Sequence, residues 1–256
     1  MASNTITNGS AHRDRVPRDP MRKAALWAGT MYILTFVSIP KFALYALIEE
    51  AGFITGPGPD TGVLVGGILE LIVGLAGIGT AVALYPVVKR QNESLAMGFV
   101  GTRVLEAAMI FVGVASLWTI VTLRQDGAGA DASVMGDALV VLYDRAFLVG
   151  QSLMPVFNGL LLGSLMYQSR LVPRWLPVLG FIGATVLITY NVALLFGLSG
   201  QALAVFAGLG VLPIATWEFG LGVYLVAKGF RPSAVAALDT VPPVPGTPWP
   251  GRFAAD

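Results

Sequence analysis

The chain contains no cysteine, and its only histidine is His12 in a polar N-terminal segment. Without thiols it has no disulfide, no thiolate nucleophile and no cysteine-ligated zinc or iron–sulfur cluster. A single histidine outside the apolar segments also excludes an HExxH zinc site, haem ligation by a histidine pair and a Ser-His-Asp triad within those segments. The sequence therefore predicts neither a metal site nor a bound cofactor.

Charge is scarce as well. Charged residues make up 12% of the chain and hydrophobic residues 55%, whereas soluble domains carry about 25% charged residues. A soluble core of this size cannot absorb so much apolar surface, so lipid is the predicted solvent and partner for most of the chain. The net charge of +1 gives no reason to expect a nucleic-acid partner. Nothing in the pattern specifies an oligomeric state.

Six apolar runs approach or exceed the length that a membrane helix needs. They predict helices over Ala24–Ala46, Gly62–Val88, Leu95–Leu123, Ala138–Tyr167, Trp175–Gly197 and Ala202–Ala227. Kinks are expected at Pro40, Pro155 and Pro213. The predicted fold class is an all-α polytopic membrane protein, a bundle of six transmembrane helices.

The predicted domain organisation is a single membrane domain between two tails. A basic tail over 1–23 precedes the membrane domain over 24–230, and a proline-rich tail over 231–256 follows it. Both tails have the composition of disordered segments. The tails and the even loops hold twelve of the sixteen basic residues, and the odd loops hold only Arg124. This bias predicts a plasma-membrane protein with both termini in the cytoplasm.

Seven charged residues fall inside the predicted spans, where a charge at mid-bilayer costs about 2.5 to 3.5 kcal/mol. They are Lys41, Glu70, Arg103, Glu106, Asp144, Arg145 and Glu218. Arg103 and Glu106 are three residues apart, so they lie on one helix face. They are roughly 12 and 17 Å from Leu95 along the helix, too deep for the Glu106 carboxylate to reach the headgroups.

Further polar positions follow helical spacing. Asp144, Gln151 and Asn158 recur every seven residues and predict one polar seam along the fourth helix. Glu70 belongs to a stripe of small residues, which places its face inside the bundle. On the first helix there is a looser polar row, formed by Thr35, Ser38, Lys41 and Tyr45. The outermost charges, Lys41 and Asp144, are close enough to a helix end to reach the interface.

The inner charges allow two interpretations. They form either a buried ion-pair network that fixes helix register or a polar cavity that binds a ligand or moves protons. Three glutamates, Glu70, Glu106 and Glu218, facing one Arg103 would leave surplus negative charge. At least one carboxyl group is then expected to be protonated, as a general acid must be.

The residues resemble a known family. The stretches "LYDRAFLVG", "SRLVPRWLPVLGFIG" and "PIATWEFGLGVYLVAKGF", together with the region from "GILELIVGL" to "GVASL", are similar to a bacterial family of six-helix membrane proteins catalogued as domain of unknown function 4386. The resemblance extends from about Lys23 to Phe230. The family usually reads "HDW" where this chain has "YDR" at Tyr143 to Arg145, so a role for that imidazole is not expected here. The resemblance implies the architecture and no established activity.

Two functional hypotheses follow, and whether the protein is an enzyme stays open between them. The first is binding or acid-catalysed conversion of a lipid-like or isoprenoid small molecule; the absence of a DDxxD pair counts against prenyl transfer. The second is a small proton-coupled transporter, with a purely structural or regulatory role as a further alternative. The candidate catalytic residues are Glu106, Glu70, Arg103 and Glu218. The candidate ligand-binding residues are Asp144, Gln151, Asn158, Trp217, Tyr190 and Asn191.

Overall fold

The computed structural model of the chain describes residues 20–49, 53–56, 59–127 and 132–240. Within these ranges all regular secondary structure is helical. His12, nearly all of the predicted basic tail and the last sixteen residues of the proline-rich tail lie outside the described residues.

Six helices are long and apolar enough to cross a membrane, which confirms the predicted six-helix fold. We number these spans one to six in chain order: Pro20–Leu44, Thr61–Val88, Glu93–Gln125, Ala132–Ser169, Trp175–Leu195 and Gln201–Ala227. The first span consists of an α-helix, a 3-10 turn and a short α-helix, over Pro20–Leu34, Thr35–Ser38 and Lys41–Leu44. The fourth consists of two α-helices around a π-helical turn, over Ala132–Phe147, Leu148–Leu153 and Met154–Ser169.

Two shorter helical elements lie outside the spans. A 3-10 turn, Ala46–Glu49, follows the first span, and a nine-residue helix, Pro232–Thr240, follows the sixth. The composition of the proline-rich tail predicted disorder for this second segment. It is helical because its apolar side chains Ala234, Val235 and Leu238 pack on the core of the bundle, and Arg231 N donates to Leu171 O at 3.0 Å.

A proline lies at the interruption of both the first and the fourth spans. Proline cannot donate a hydrogen bond to the carbonyl four residues earlier. For Pro40 that carbonyl is Phe36 O, which accepts from Ile39 N at 3.3 Å instead. For Pro155 it is Gln151 O, within the π turn. The structure therefore breaks regular α-helix beside both prolines, whereas Pro213 lies inside the uninterrupted helix of the sixth span.

The spans form a closed ring in chain order. Each span packs against the next one, and the sixth packs against the first. We call the side of the bundle where Pro20 and Ala227 lie the terminal side. The largest apolar core fills this half, with Leu84, Phe99 and Leu165 fully buried in it. A smaller apolar cluster around Leu117 and Val121 closes the opposite side, and the intramembrane charges lie between the two.

The first and sixth spans approach most closely at a pair of glycines. A Cβ built on Gly29 would lie 2.6 Å from the carbonyl oxygen of Gly222. Small residues at such crossings allow the backbones of membrane helices to meet. Gly101 in the third span is the contrasting case, because a Cβ there would meet no atom within 4 Å.

We expect Gly29→Ala to lower the stability of the bundle by about 1–3 kcal/mol, because the added methyl group meets rigid backbone rather than a flexible side chain. Gly101→Ala is the matched control and should be neutral or stabilising by up to about 1 kcal/mol. Thermal unfolding in detergent compares the two. Equal unfolding midpoints for both variants would contradict the close approach of the first and sixth spans.

Candidate intramembrane site

Lys41 is the centre of the first of two buried polar clusters. Its ammonium group pairs with the Glu70 carboxylate and donates to Gln151 Oε1 at 2.7 Å. Gln151 Nε2 in turn donates to Glu70 Oε1 at 2.7 Å, and Tyr45 donates to Glu70 Oε2 at 2.9 Å. Tyr143 Oη lies 3.4 Å from Glu70 Oε1. We call these five residues the Lys41 cluster.

Lys41 does not reach the interface, contrary to the sequence-based expectation. It is only 2% exposed, and its ammonium group lies 4.7 Å from the centre of the Phe147 ring. The 3-10 turn before it changes the helical phase, and this segment of the first span packs on the second span. The buried Lys41 therefore compensates Glu70, which sequence reasoning had paired with Arg103.

Arg103 is the centre of the second cluster. Its Nη1 donates to Glu106 Oε2 at 2.9 Å, and its Nη2 donates to Glu218 Oε1 at 2.5 Å. Nη2 also lies 3.3 Å from the hydroxyl of Tyr32. Asn158 Nδ2 donates to Glu106 Oε2 at 2.7 Å. The predicted grouping of Arg103, Glu106 and Glu218 is therefore present, and we call these five residues the Arg103 cluster.

The two clusters differ in charge balance. The Lys41 cluster has one cation and one carboxylate, Lys41 and Glu70. The Arg103 cluster has one guanidinium against two carboxyl groups, those of Glu106 and Glu218. Any surplus negative charge in the site thus belongs to the Arg103 cluster. Arg103 has a further unusual feature: its buried Nε has no hydrogen-bond acceptor among the described residues.

A cleft of about 200 Å³ lies between the two clusters. Its polar wall combines Gln151 of the Lys41 cluster with Arg103, Glu106 and Glu218 of the Arg103 cluster. The remaining wall is mostly apolar, and all six spans contribute to the lining. These other lining residues are Thr35, Phe36, Ser38, Ile39, Val73, Pro155, Leu187, Val211, Ile214 and Ala215. The cleft can therefore contact a polar group and an apolar group at the same time.

The predicted seam on the fourth span is present only in part. Gln151 and Asn158 point into the bundle, but Asp144 and its neighbour Arg145 are exposed. The reason is the π turn Leu148–Leu153, which has more residues per turn than an α-helix. Seven residues therefore do not complete two turns between Asp144 and Gln151. Tyr143, eight residues before Gln151, takes the inward position beside Glu70.

Three further candidate residues do not line the cleft. Trp217 is 1% exposed within the terminal-side apolar core and lies against Gly180, on a different face of the sixth span from Glu218. Tyr190 packs against the apolar cluster around Leu187. Asn191 is buried and donates to the carbonyl of Leu187 at 2.8 Å.

Two contacts of the Arg103 cluster were not found from the sequence. Tyr32 lies three residues before Thr35, so the polar row of the first span begins one turn earlier than the sequence analysis placed it. Thr102 Oγ1 lies 2.5 Å from Asn158 Oδ1, and it precedes Glu106 by four residues, which is the spacing of one helix face. Tyr32 and Thr102 carry no formal charge at neutral pH, so neither stands out within an apolar run as a charged residue does.

The ring of six spans and the paired charges within it can be compared with known proteins. The model of a family described as Domain of unknown function (DUF4386) matches residues 27–229. The chain belongs to this family. The matched range includes every residue of the Lys41 and Arg103 clusters, so both clusters lie within the family domain. No curated protein and no solved structure matches the chain.

Substitutions at Lys41 and Glu70 test how much the pairing of these two side chains contributes to the stability of the bundle. We expect Lys41→Met to cost about 3–5 kcal/mol, because it leaves Glu70 buried without its cation. Adding Glu70→Gln to Lys41→Met should recover most of this loss, since no uncompensated charge remains. Unfolding of both single variants and the double variant in detergent gives the coupling energy. Lys89→Met, at an exposed lysine, is the control, and strictly additive losses would contradict the pairing.

Proposed function

We propose that the cleft binds a lipid-like small molecule within the membrane. In this proposal the polar end of the molecule contacts the Arg103 cluster, and the apolar body of the molecule lies along Leu187, Val211 and Ile214. The observation that carries the proposal is the composition of the cleft, which joins three ionisable side chains and Gln151 to a mostly apolar wall. Ligand sites have this general character, with a few placed polar groups in an apolar pocket.

The unpaired Nε of Arg103 supports a ligand with a hydrogen-bond acceptor. A buried donor without a partner costs about 1–3 kcal/mol, and the described part of the chain offers this N–H no acceptor. A hydroxyl, ether or carbonyl oxygen of a bound molecule would satisfy it. Because Arg103 lines the cleft, such a molecule would be held where Glu106 and Glu218 also face it.

The charge balance of the Arg103 cluster suggests how the site acts on its ligand. A second buried carboxylate without a cation is costly, so the charge balance favours one proton on the carboxyl groups of this cluster. A carboxyl group that holds a proton beside a ligand oxygen can act as a general acid. The proposed activity is therefore proton donation to a ligand atom held against Arg103.

The first span suggests how a ligand reaches the cleft. From Pro20 to Leu34 this span packs on both the second and the sixth spans, whereas the segment from Thr35 to Leu44 packs mainly on the second, with Phe36 still against Phe219 of the sixth. The apolar side chains beside this divergence are exposed on the outside of the bundle, with Ile39 at 59% and Val211 at 50%. Both also line the cleft. We propose that the ligand enters sideways from the bilayer between the first and sixth spans.

Mass spectrometry of extracts from the purified protein tests the proposal. We expect the wild-type chain to retain an apolar molecule at near-stoichiometric amount and Glu218→Gln to retain at least about tenfold less, since one good hydrogen bond to a charged group is worth about 1.5–3 kcal/mol. Glu93→Gln is the matched control, because it changes the same functional group at an exposed position outside the cleft. It should retain the molecule as the wild type does.

Two other results would contradict the binding proposal. Equal amounts of the same lipids in all three proteins would indicate lipid around the bundle rather than in the cleft. An empty wild-type protein that dissipates a pH gradient in liposomes, with loss of this flux in Glu218→Gln, would favour the second candidate, a proton-coupled transporter. The interrupted first and fourth spans beside the cleft favour that candidate, because transporters build their sites from discontinuous helices.

We propose further that the terminal side faces the cytoplasm of a cell bounded by its plasma membrane. The basic residues of the described connections and ends support this orientation, since they gather on the terminal side: Lys89, Arg90, Arg170, Arg174, Lys228 and Arg231. On the opposite side, Arg124 pairs with Asp60 at 2.9 Å. An excess of basic residues marks the cytoplasmic side of membrane proteins.

The absence of cysteine allows a direct test of orientation. Ser94→Cys, near the start of the third span on the terminal side, and Ser199→Cys, in the loop before the sixth span, each introduce a single exposed thiol. In intact cells we expect a membrane-impermeant maleimide to label Ser199→Cys and to label Ser94→Cys only after lysis. Labelling of Ser94→Cys in intact cells would show the reverse orientation.

A further inference from the structure

A second pocket lies on the terminal side, away from the cleft. Its volume is about 330 Å³, and it is enclosed by the start of the first span, the end of the sixth span and the helix Pro232–Thr240. Two of its lining residues are cations, and none is acidic. The lining residues are Met21, Arg22, Lys228, Gly229, Phe230, Pro232, Val235 and Ala236.

Arg22 is fixed in this pocket by the end of the sixth span. Its Nη1 donates to Leu225 O at 3.0 Å and its Nη2 donates to Val226 O at 2.7 Å. These two bonds use two of the five N–H donors of a guanidinium group. Gly229, with φ of +73°, turns the chain beside it, and a Cβ there would lie 3.1 Å from Arg22 Nη1. The glycine thus leaves the guanidinium group room in the pocket.

Lys228 adds a second positive charge. In the described ranges its ammonium group has no hydrogen bond or ion pair, whereas the buried Lys41 is fully engaged. The helix Pro232–Thr240 begins at the pocket, and the N-terminal end of a helix carries partial positive charge. These three features together make the pocket attractive to an anion.

We infer that this pocket binds a phosphate group, and that its source is the headgroup of an anionic phospholipid. Basic pockets between helices at the cytoplasmic membrane surface bind such headgroups. The lipid assignment follows from the position and the lining. The pocket lies at the ends of the first and sixth spans, and Met21, Val235 and Ala236 provide apolar surface next to the two cations. This inference does not depend on the function proposed for the cleft.

Native mass spectrometry of the full chain in detergent tests it, with phosphatidylglycerol and phosphatidylcholine as the probes. We expect phosphatidylglycerol to bind more tightly than phosphatidylcholine. Lys228→Gln should weaken the affinity for phosphatidylglycerol about fivefold or more, which is the effect of losing one basic contact near a membrane surface. Lys89→Gln is the matched control. It removes the same charge from the same side outside the pocket, and it should leave the affinity unchanged. Arg22 is unsuitable for substitution because it holds the helix end.

The outcomes separate the possible explanations. Equal weakening by Lys228→Gln and Lys89→Gln, or no preference for phosphatidylglycerol over phosphatidylcholine, would overturn the site in favour of diffuse surface charge. Displacement of phosphatidylglycerol by excess inorganic phosphate would support a phosphate site and overturn the lipid source. An unchanged thermal midpoint of lipid-free Lys228→Gln verifies that the variant is folded when its affinity is measured.

Discussion

The arrangement of the spans depends on compensating one buried guanidinium group. Arg103 is buried in the third span, and apart from Glu106 on its own helix its partners come from neighbouring spans. They come from the first span through Tyr32, from the sixth through Glu218, and from the fourth through Asn158 on Glu106. Each bond has a directional requirement, so together they fix the rotation of four spans about their own axes. The Lys41 cluster joins the second span to the first and fourth in the same way.

Fixing register and providing a site are not competing explanations here. A network that only fixes register would be expected to balance its charges and fill its donors. The Lys41 cluster meets the first condition. The Arg103 cluster has two carboxyl groups against one cation and leaves Arg103 Nε without an acceptor among the described residues. It also borders a cleft. The Arg103 cluster thus lacks the full compensation that a purely structural network would have.

Much of this arrangement was predictable from the sequence, because apolar length gives the spans and the i, i+3 spacing places Arg103 with Glu106. The stripe of small residues likewise places Glu70 inside the bundle. Whether Lys41 and Asp144 face the inside or the outside of the bundle was not predictable in this way. Both orientations depend on turns that depart from 3.6 residues per turn. Trp217 next to Glu218 shows a different limit: adjacent residues on a helix face different surroundings, so one can lie in a core while the other lines a cleft.

The π turn of the fourth span has a mechanical consequence. Gln151 lies within it and belongs to the Lys41 cluster, and Asn158 follows it and belongs to the Arg103 cluster. Removing the extra residue of the turn would rotate one half of the span against the other by roughly 100°, the angle of one α-helical residue. Gln151 and Asn158 could not then both keep their partners. The π turn therefore sets the relative rotation of the two halves of the fourth span that the contacts of both clusters require.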